Sequence, residues 1–181
     1  MTKTHIHAPI CACLIALALL SSPSCSKDTP AAIDETWKSK NEKIYSDLAA
    51  NSAYSSVPSP SNMGQVYYKE LKAPTSAEPI YFTDTVKVYY TGSLITDSIF
   101  DSAEPPYDAP VIFSVSSLCD GFATALQYMK KGSRWEIWMP QELGYGSAGS
   151  KNSAGKVIIP PYSTLKFEVE VVGIKRSGKW L

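Results

Sequence analysis

The stretch Leu165-Lys166-Phe167-Glu168-Val169-Glu170-Val171 alternates apolar and charged side chains without a break. Successive side chains of an extended chain point to opposite faces. Leu165, Phe167, Val169 and Val171 therefore share one face, and Lys166, Glu168 and Glu170 share the other. This pattern predicts a half-buried antiparallel strand with one wet face. The same period recurs upstream. Val86, Val88 and Tyr90 alternate with Lys87 and Tyr89, and Trp135, Ile137 and Met139 alternate with Arg134, Glu136 and Trp138. One segment between these strands changes period: Phe122, Ala125, Leu126 and Met129 fall at i, i+3, i+4 and i+7. Asp120 is the expected N-cap of that helix, Lys130 and Lys131 fill its last turn, and Gly132 is the expected stop. An antiparallel sheet carrying a single short amphipathic helix is an α+β domain.

Upstream of the strands, Ser55–Asn62 (SSVPSPSN) reads as a breaker-rich linker. Residues 33–52 read as a helix with a sparse apolar stripe of Ile33, Trp37, Ile44 and Leu48, and with Lys38, Lys40, Glu42 and Lys43 off it. Such a helix serves either as a solvated spacer or as a surface for dimerisation or client binding; the sequence leaves both open. Because every strand signal lies beyond the linker, residues 64–181 are expected to fold without the N-terminal segment.

The N-terminus reads as a targeting segment. Lys3 precedes Ile10–Leu20, an apolar run of eleven residues that is too short to span a bilayer but fits the core of a signal peptide. Ser21-Ser22-Pro23-Ser24 and then Cys25 follow. The order resembles a bacterial lipoprotein signal, in which the cysteine after the cleavage point is acylated, although Ser22 stands where Leu is usual. The expected organisation is a signal peptide over 1–24, a lipid-anchored tether, helix and linker over 25–62, and the folded domain over 63–181. The resemblance implies a bacterial cell envelope location, with the membrane reached through the lipid.

Composition narrows the chemistry. Lys+Arg and Asp+Glu both number 17, and residues 1–24 contain only Lys3 of either set, so the processed chain stays close to neutral. It has no electrostatic footprint for nucleic acid. Both histidines, His5 and His7, lie in the segment expected to be removed. Ser-His and Cys-His catalysis and His-ligated metals are thereby excluded for the processed chain, and no cofactor or metal is expected. Cys11 and Cys13 go with the same segment and Cys25 takes the lipid, so Cys119 is expected to form no disulfide.

Four phrases recur in a telling order: Val88-Tyr89-Tyr90-Thr91-Gly92, Phe100-Asp101-Ser102, Leu143-Gly144-Tyr145-Gly146, and Ile158-Ile159-Pro160-Pro161-Tyr162-Ser163-Thr164-Leu165. Each alone is unspecific. Without a family match, Tyr90 and Phe167 would be read as core, Asp101 as a turn residue and Tyr145 as a loop aromatic. In this order and spacing, with Leu118-Cys119-Asp120-Gly121-Phe122 ahead of the helix, residues 64–175 resemble the FKBP-type peptidyl-prolyl cis-trans isomerases.

That resemblance implies a twisted antiparallel β-sheet wrapped around one short helix, with an N-terminal helical extension here and an apolar pocket between sheet and helix. It implies that Tyr90, Phe100 and Phe167 wall the pocket, that Asp101 is the carboxylate beside it, and that Phe122 is its floor. Tyr145 matches the tyrosine whose hydroxyl binds a substrate carbonyl, Ile158 and Ile159 the rim, and Leu118 and Cys119 the segment whose backbone N–H meets the bound peptide. Three departures stand out. Phe122 replaces a frequent Trp, Val111 replaces an aromatic wall, and Cys119 replaces a branched aliphatic. The stretch Ser147–Val157 (SAGSKNSAGKV) is also longer than in compact members.

The implied activity is isomerisation of X-Pro bonds in unfolded or partly folded envelope or secreted proteins. Two readings compete with it: a catalytically weak chaperone or binding module on the same fold, and a structural envelope lipoprotein without a pocket. The expected partners are proline-containing polypeptides, the membrane, and a second copy through the 33–52 helix. Mass spectrometry of membrane-extracted protein is expected to find an acylated N-terminus at Cys25. An unmodified N-terminus at another residue would refute the lipid anchor.

Overall fold

The computed structural model describes residues 33–181. The expected signal peptide, Cys25 and the expected tether lie outside the described residues. In chain order the elements are helix α1 (Glu35–Asp47), strands β1 (Ser55–Pro58), β2 (Gln65–Lys72), β3 (Thr85–Leu94), β4 (Ile99–Ala103) and β5 (Val111–Ser114), helix α2 (Asp120–Tyr128), and strands β6 (Arg134–Met139), β7 (Ser150–Lys151), β8 (Val157–Ile159), β9 (Leu165–Arg176) and β10 (Lys179–Trp180). Among these described residues no helix is long and apolar enough to cross a membrane.

The main sheet is antiparallel and runs β1-β2-β6-β9-β3-β4. Strand β9 is its spine. It pairs with β6 along Leu165–Glu170 on one side and with β3 along its length on the other. The free side of β3 is divided: β5 pairs with Thr85–Val88, and β4 pairs with Tyr90–Ser93. The period-two reading holds residue by residue. Leu165, Phe167, Val169 and Val171 are buried, and so are Trp135, Ile137 and Met139 from β6 and Val86, Val88 and Tyr90 from β3. Their charged alternates meet on the outer face, where Arg134 pairs with Glu168 and Lys72 with Glu170.

Helix α2 packs on the inward face and joins one continuous core through Phe122, Ala125, Leu126 and Met129. Gly121 permits the close approach, since a Cβ there would lie 2.6 Å from the Met139 sulfur. The helix ends differ from expectation. Cys119, in extended conformation, is the N-cap and Asp120 is the first helical residue. Asp120 still places its charge where the helix dipole favours it. The helix stops at Met129, so Lys130 and Lys131 lie beyond it. Gly132, at φ +87°, turns the chain into β6.

The segment read as a linker is part of the sheet. Ser55–Pro58 pairs with Gln65–Tyr68 as an edge strand, and Val57 points into the core. An edge strand tolerates Pro58 because one side needs no ladder bonds. The premise that every strand lies beyond residue 62 therefore fails for β1. Helix α1 is likewise docked on its own domain, capped by Asp34, whose side chain accepts from the Trp37 N–H. Its apolar stripe does only part of this: Ile33 is exposed, and the fully buried residue is Asn41. Asn41 donates to the Trp37 carbonyl at 2.8 Å and accepts from the Thr164 N–H at 2.8 Å. Thr164 Oγ1 donates to the Asn41 carbonyl, and Tyr45 donates to the Gln65 carbonyl at 2.7 Å. A polar clasp of this kind is invisible to hydrophobic periodicity.

A second clasp closes the opposite end. The Arg176 guanidinium grips the buried Asp84 with two bonds, 2.9 and 2.7 Å, and donates to the Pro79 carbonyl. Hydrogen bonding from Arg176 holds the Asp84 carboxyl below the usual carboxylate range, against the opposing effect of burial.

Two outcomes follow from these clasps. Asn41→Ala leaves the Thr164 N–H buried without its acceptor and is expected to lower unfolding stability by about 2 kcal/mol, read as a lower midpoint in urea at unchanged slope. The Asp84 contribution is present above the unfolded carboxyl value of about 3.9 and is lost as pH falls through the lower folded value. Thermal unfolding between neutral pH and strong acid is therefore expected to show a stability loss below about pH 4. Asp84→Asn should flatten that loss and lower stability at neutral pH.

Candidate active site

The aromatic residues of the inward face converge on Phe122, which begins α2 and is fully buried. Its ring meets Phe167 of β9 at a centroid distance of 5.1 Å, Tyr90 of β3 at 6.3 Å and Phe113 of β5 at 6.4 Å, each close to perpendicular. Phe100 of β4 adds a fifth ring, edge to face with Phe167 at 5.5 Å. Edge-to-face geometry sets a positive ring edge against a negative ring face, which fixes each ring's orientation. The divided edge of β3 makes the box possible, because β4 and β5 bring Phe100 and Phe113 to it from two directions. Gly92 makes it tight: a Cβ there would lie 2.6 Å from the Phe100 ring and 2.7 Å from the Phe167 ring. The glycine of the Tyr-Thr-Gly phrase is thus a packing requirement.

One polar bond is built into the box. The Tyr90 hydroxyl donates to Asp101 at 2.7 Å. Burial pushes the Tyr90 phenol well above its ordinary value, and the bond to Asp101 and the neighbouring Tyr145 push in the same direction. Tyr90 is therefore a neutral donor throughout the physiological range. Asp101 is the group that holds it, and this orients the first wall.

The remaining residues singled out from sequence gather around the same box. Leu118, Cys119 and Ile159 are buried in the core that contains Phe122, and Val111, Tyr145 and Ile158 are half-buried against it. Cys119 caps α2 through its carbonyl, which accepts from the Ala123 N–H at 3.0 Å. Tyr145 sits on the loop after Leu143, between two glycines. Its carbonyl accepts from the Gly149 N–H at 3.1 Å, and this anchors the start of the β7–β8 hairpin. Tyr90, Phe122 and Phe167 are at most 2% exposed. The half-buried members around the box are Phe100, Asp101, Val111, Phe113, Tyr145 and Ile158.

Phe113 is the residue that sequence reading missed. It lies two positions after Val111 on the same face of β5, pairs with Val86 in the sheet, and contacts Tyr90 at 5.8 Å as well as Phe122. The period-two rule applied to Val111 would have found it.

Comparison with known proteins gives the family. The family model described as FKBP-type peptidyl-prolyl cis-trans isomerase matches residues 78–172, a span that contains every residue of the box. The "FKBP-type 22 kDa peptidyl-prolyl cis-trans isomerase" of Escherichia coli (strain K12) is 46% identical over 92 residues, which is 51% of this chain and 42% of that protein. The "Outer membrane protein MIP" of Legionella longbeachae is 38% identical over 111 residues, 61% of this chain and 45% of that one. The chain thus spans less than half the length of these two relatives. The crystal structure of FkpA from Escherichia coli superposes with a TM-score of 0.65 at 28% identity, over 79% of this chain and 61% of that chain. Because that family model matches residues 78–172, over half of the sequence, this chain belongs to the FKBP-type peptidyl-prolyl cis-trans isomerase family.

Proposed function

We propose that this chain catalyses cis-trans isomerisation of X-Pro bonds in unfolded or partly folded polypeptides of the bacterial envelope. The observation that carries the proposal is the five-ring box with its internal Tyr90–Asp101 bond. An X-Pro bond isomerises slowly because twisting it breaks amide resonance. The twisted amide has less charge separation than the planar one. An apolar pocket therefore disfavours the planar ground state more than the twisted state, which is differential binding without covalent chemistry. Phe100, Val111, Phe113 and Ile158 supply apolar contact for the prolyl ring. Tyr145 supplies a hydroxyl for a flanking carbonyl, and the Cys119 backbone meets the peptide at the start of α2. No nucleophile is required by this mechanism.

The polar box edge supports the catalytic reading over a purely structural one. A core needs no carboxylate beside its aromatics, because burying polar groups carries a desolvation cost that apolar residues avoid. Two features lower the contact area offered to a large macrolide: a phenyl ring at Phe122 and an isopropyl group at Val111. At about 25 cal/mol per Å², each loss of roughly 40–60 Å² costs about 1–1.5 kcal/mol of binding. Turnover is less affected where ground and transition states lose contact alike.

The envelope location and the lipid anchor at Cys25 rest on the N-terminal sequence pattern, and the name of the Legionella relative supports the envelope location. The 33–52 helix is less free for dimerisation than its stripe suggested, because Trp37 and Asn41 are engaged by the chain's own domain.

In a protease-coupled assay the full chain is expected to accelerate isomerisation of X-Pro peptides with X as Leu, Phe or Ala. Tyr145→Phe should cut kcat/KM several-fold with an unchanged fold. Gly92→Ala should cut it by about tenfold or more, because both rings that flank the glycine must move. No acceleration by the wild type on any of these peptides would replace the enzyme reading with that of a binding module.

A further inference from the structure

The β7–β8 hairpin serves two surfaces. Ile158 and Ile159 belong to the apolar set around the box. Val157 instead lines a groove of about 690 Å³ that opens between the hairpin and the start of α1. The groove's apolar lining is Ile33, Trp37, Val157, Pro160, Pro161 and Tyr162, and its two charged members, Asp34 and Lys151, are of opposite sign. The volume lies within the usual range for ligand sites, about 300–1,000 Å³. Aromatic and prolyl faces with balanced charge suit an uncharged, extended peptide segment.

The walls are held in place by the protein's own bonds. Trp37 Nε1 donates to Ser163 Oγ at 3.2 Å, and that hydroxyl donates to the Pro160 carbonyl at 2.7 Å. Tyr162 stands at φ +60°, a left-handed conformation unfavourable for a bulky residue. Its N–H donates to the Gly146 carbonyl at 2.9 Å, which ties the two stems of the hairpin together. A groove ordered in this way costs an incoming chain little further ordering of the protein.

The groove adjoins the box along the chain. Ser147 and Ala148 line it two and three residues after Tyr145, and Pro160 lines it directly after Ile159. An extended chain advances about 3.3 Å per residue, so a peptide whose proline lies in the box can reach residues that directly follow Tyr145 and Ile159 within a few residues of its own. We propose that the groove binds an apolar stretch of the same client polypeptide, flanking the proline being isomerised. It would select clients whose proline has apolar neighbours at that spacing. This rests on the isomerase reading, which it deepens.

The test compares two substrates on the full chain: a tetrapeptide with a central X-Pro bond, and a dodecapeptide extending it on both sides with Leu and Val. Ile33→Asp combined with Val157→Asp charges the groove at two exposed positions, where substitution leaves folding intact. The wild type should turn over the dodecapeptide with the higher kcat/KM. The double variant should lose that advantage, a fall of about tenfold, while tetrapeptide turnover stays within about twofold. An equal fall for both peptides, or no change for either, would overturn the proposal. So would a dimer that the double variant dissociates, which assigns the groove to a second copy. Faster dodecapeptide turnover on deletion of residues 26–32 would assign it to the chain's own N-terminal segment, with the same consequence. Should the wild type turn over neither peptide, the isomerase reading fails by itself. Photocrosslinking from a dodecapeptide position four residues from the proline then decides the groove: label on Ile33, Asp34, Trp37, Ser147, Ala148, Lys151, Val157 or Pro160–Tyr162 supports it, and label elsewhere refutes it.

Discussion

The contact between the Phe122 ring and its three aromatic neighbours is where helix and sheet are locked to each other, and the rest of the structure depends on it. The ring is the first large side chain of α2, and it touches β9 through Phe167, β3 through Tyr90 and β5 through Phe113. Removing a buried phenyl group commonly costs about 3–5 kcal/mol, a large share of the total stability of a small domain. Each neighbour is held in turn by something else. Tyr90 is held by Asp101, Phe167 by Phe100, and the pair of Phe100 and Phe167 by the absence of a side chain at Gly92. A pocket assembled from core residues inherits the rigidity of the core, and that rigidity is useful where catalysis depends on shape and desolvation.

This economy has a structural consequence. The most buried rings set the orientation of the half-buried ones packed on them. Phe167 fixes where Phe100 stands and Phe122 fixes where Phe113 stands; in the proposed mechanism these half-buried rings, with Tyr145, are the ones that meet the substrate. Substitution at Phe122 or Phe167 therefore acts through the rings packed on them.

Helix α1 bears on the same site from the other direction. Its clasp through Asn41 and Trp37 is made to Ser163 and Thr164, which lie between the Pro160-Pro161 turn and β9. That turn follows Ile158 and Ile159 at the rim. The helix therefore supports the chain segment that delivers the rim of the box, although it contributes no ring to the box itself.

Much of this was legible in the chain because it follows from local periodicity. Alternation at Leu165–Val171, Trp135–Met139 and Val86–Tyr90 predicted which side chains face inward, since a strand's two faces follow from residue parity alone. The i, i+3, i+4, i+7 spacing from Phe122 to Met129 predicted the helix for a similar reason. The order of four short phrases pointed to the family and to most of the residues now seen around the box. Other features depended on partners far away in sequence. Asn41 is polar, and only Thr164, more than a hundred residues on, makes its burial favourable. Ser55–Pro58 has the composition of a linker and becomes a strand because β2 offers it an edge. Phe113 shares the face of Val111 by parity, but its contact with Tyr90 and Phe122 arises from the split pairing of β3. The groove beside α1 exists only because two segments that are distant in sequence meet. Sequence determines what each segment can do with its own neighbours; tertiary contact decides which polar groups are satisfied, which edges are paired and where surfaces enclose space.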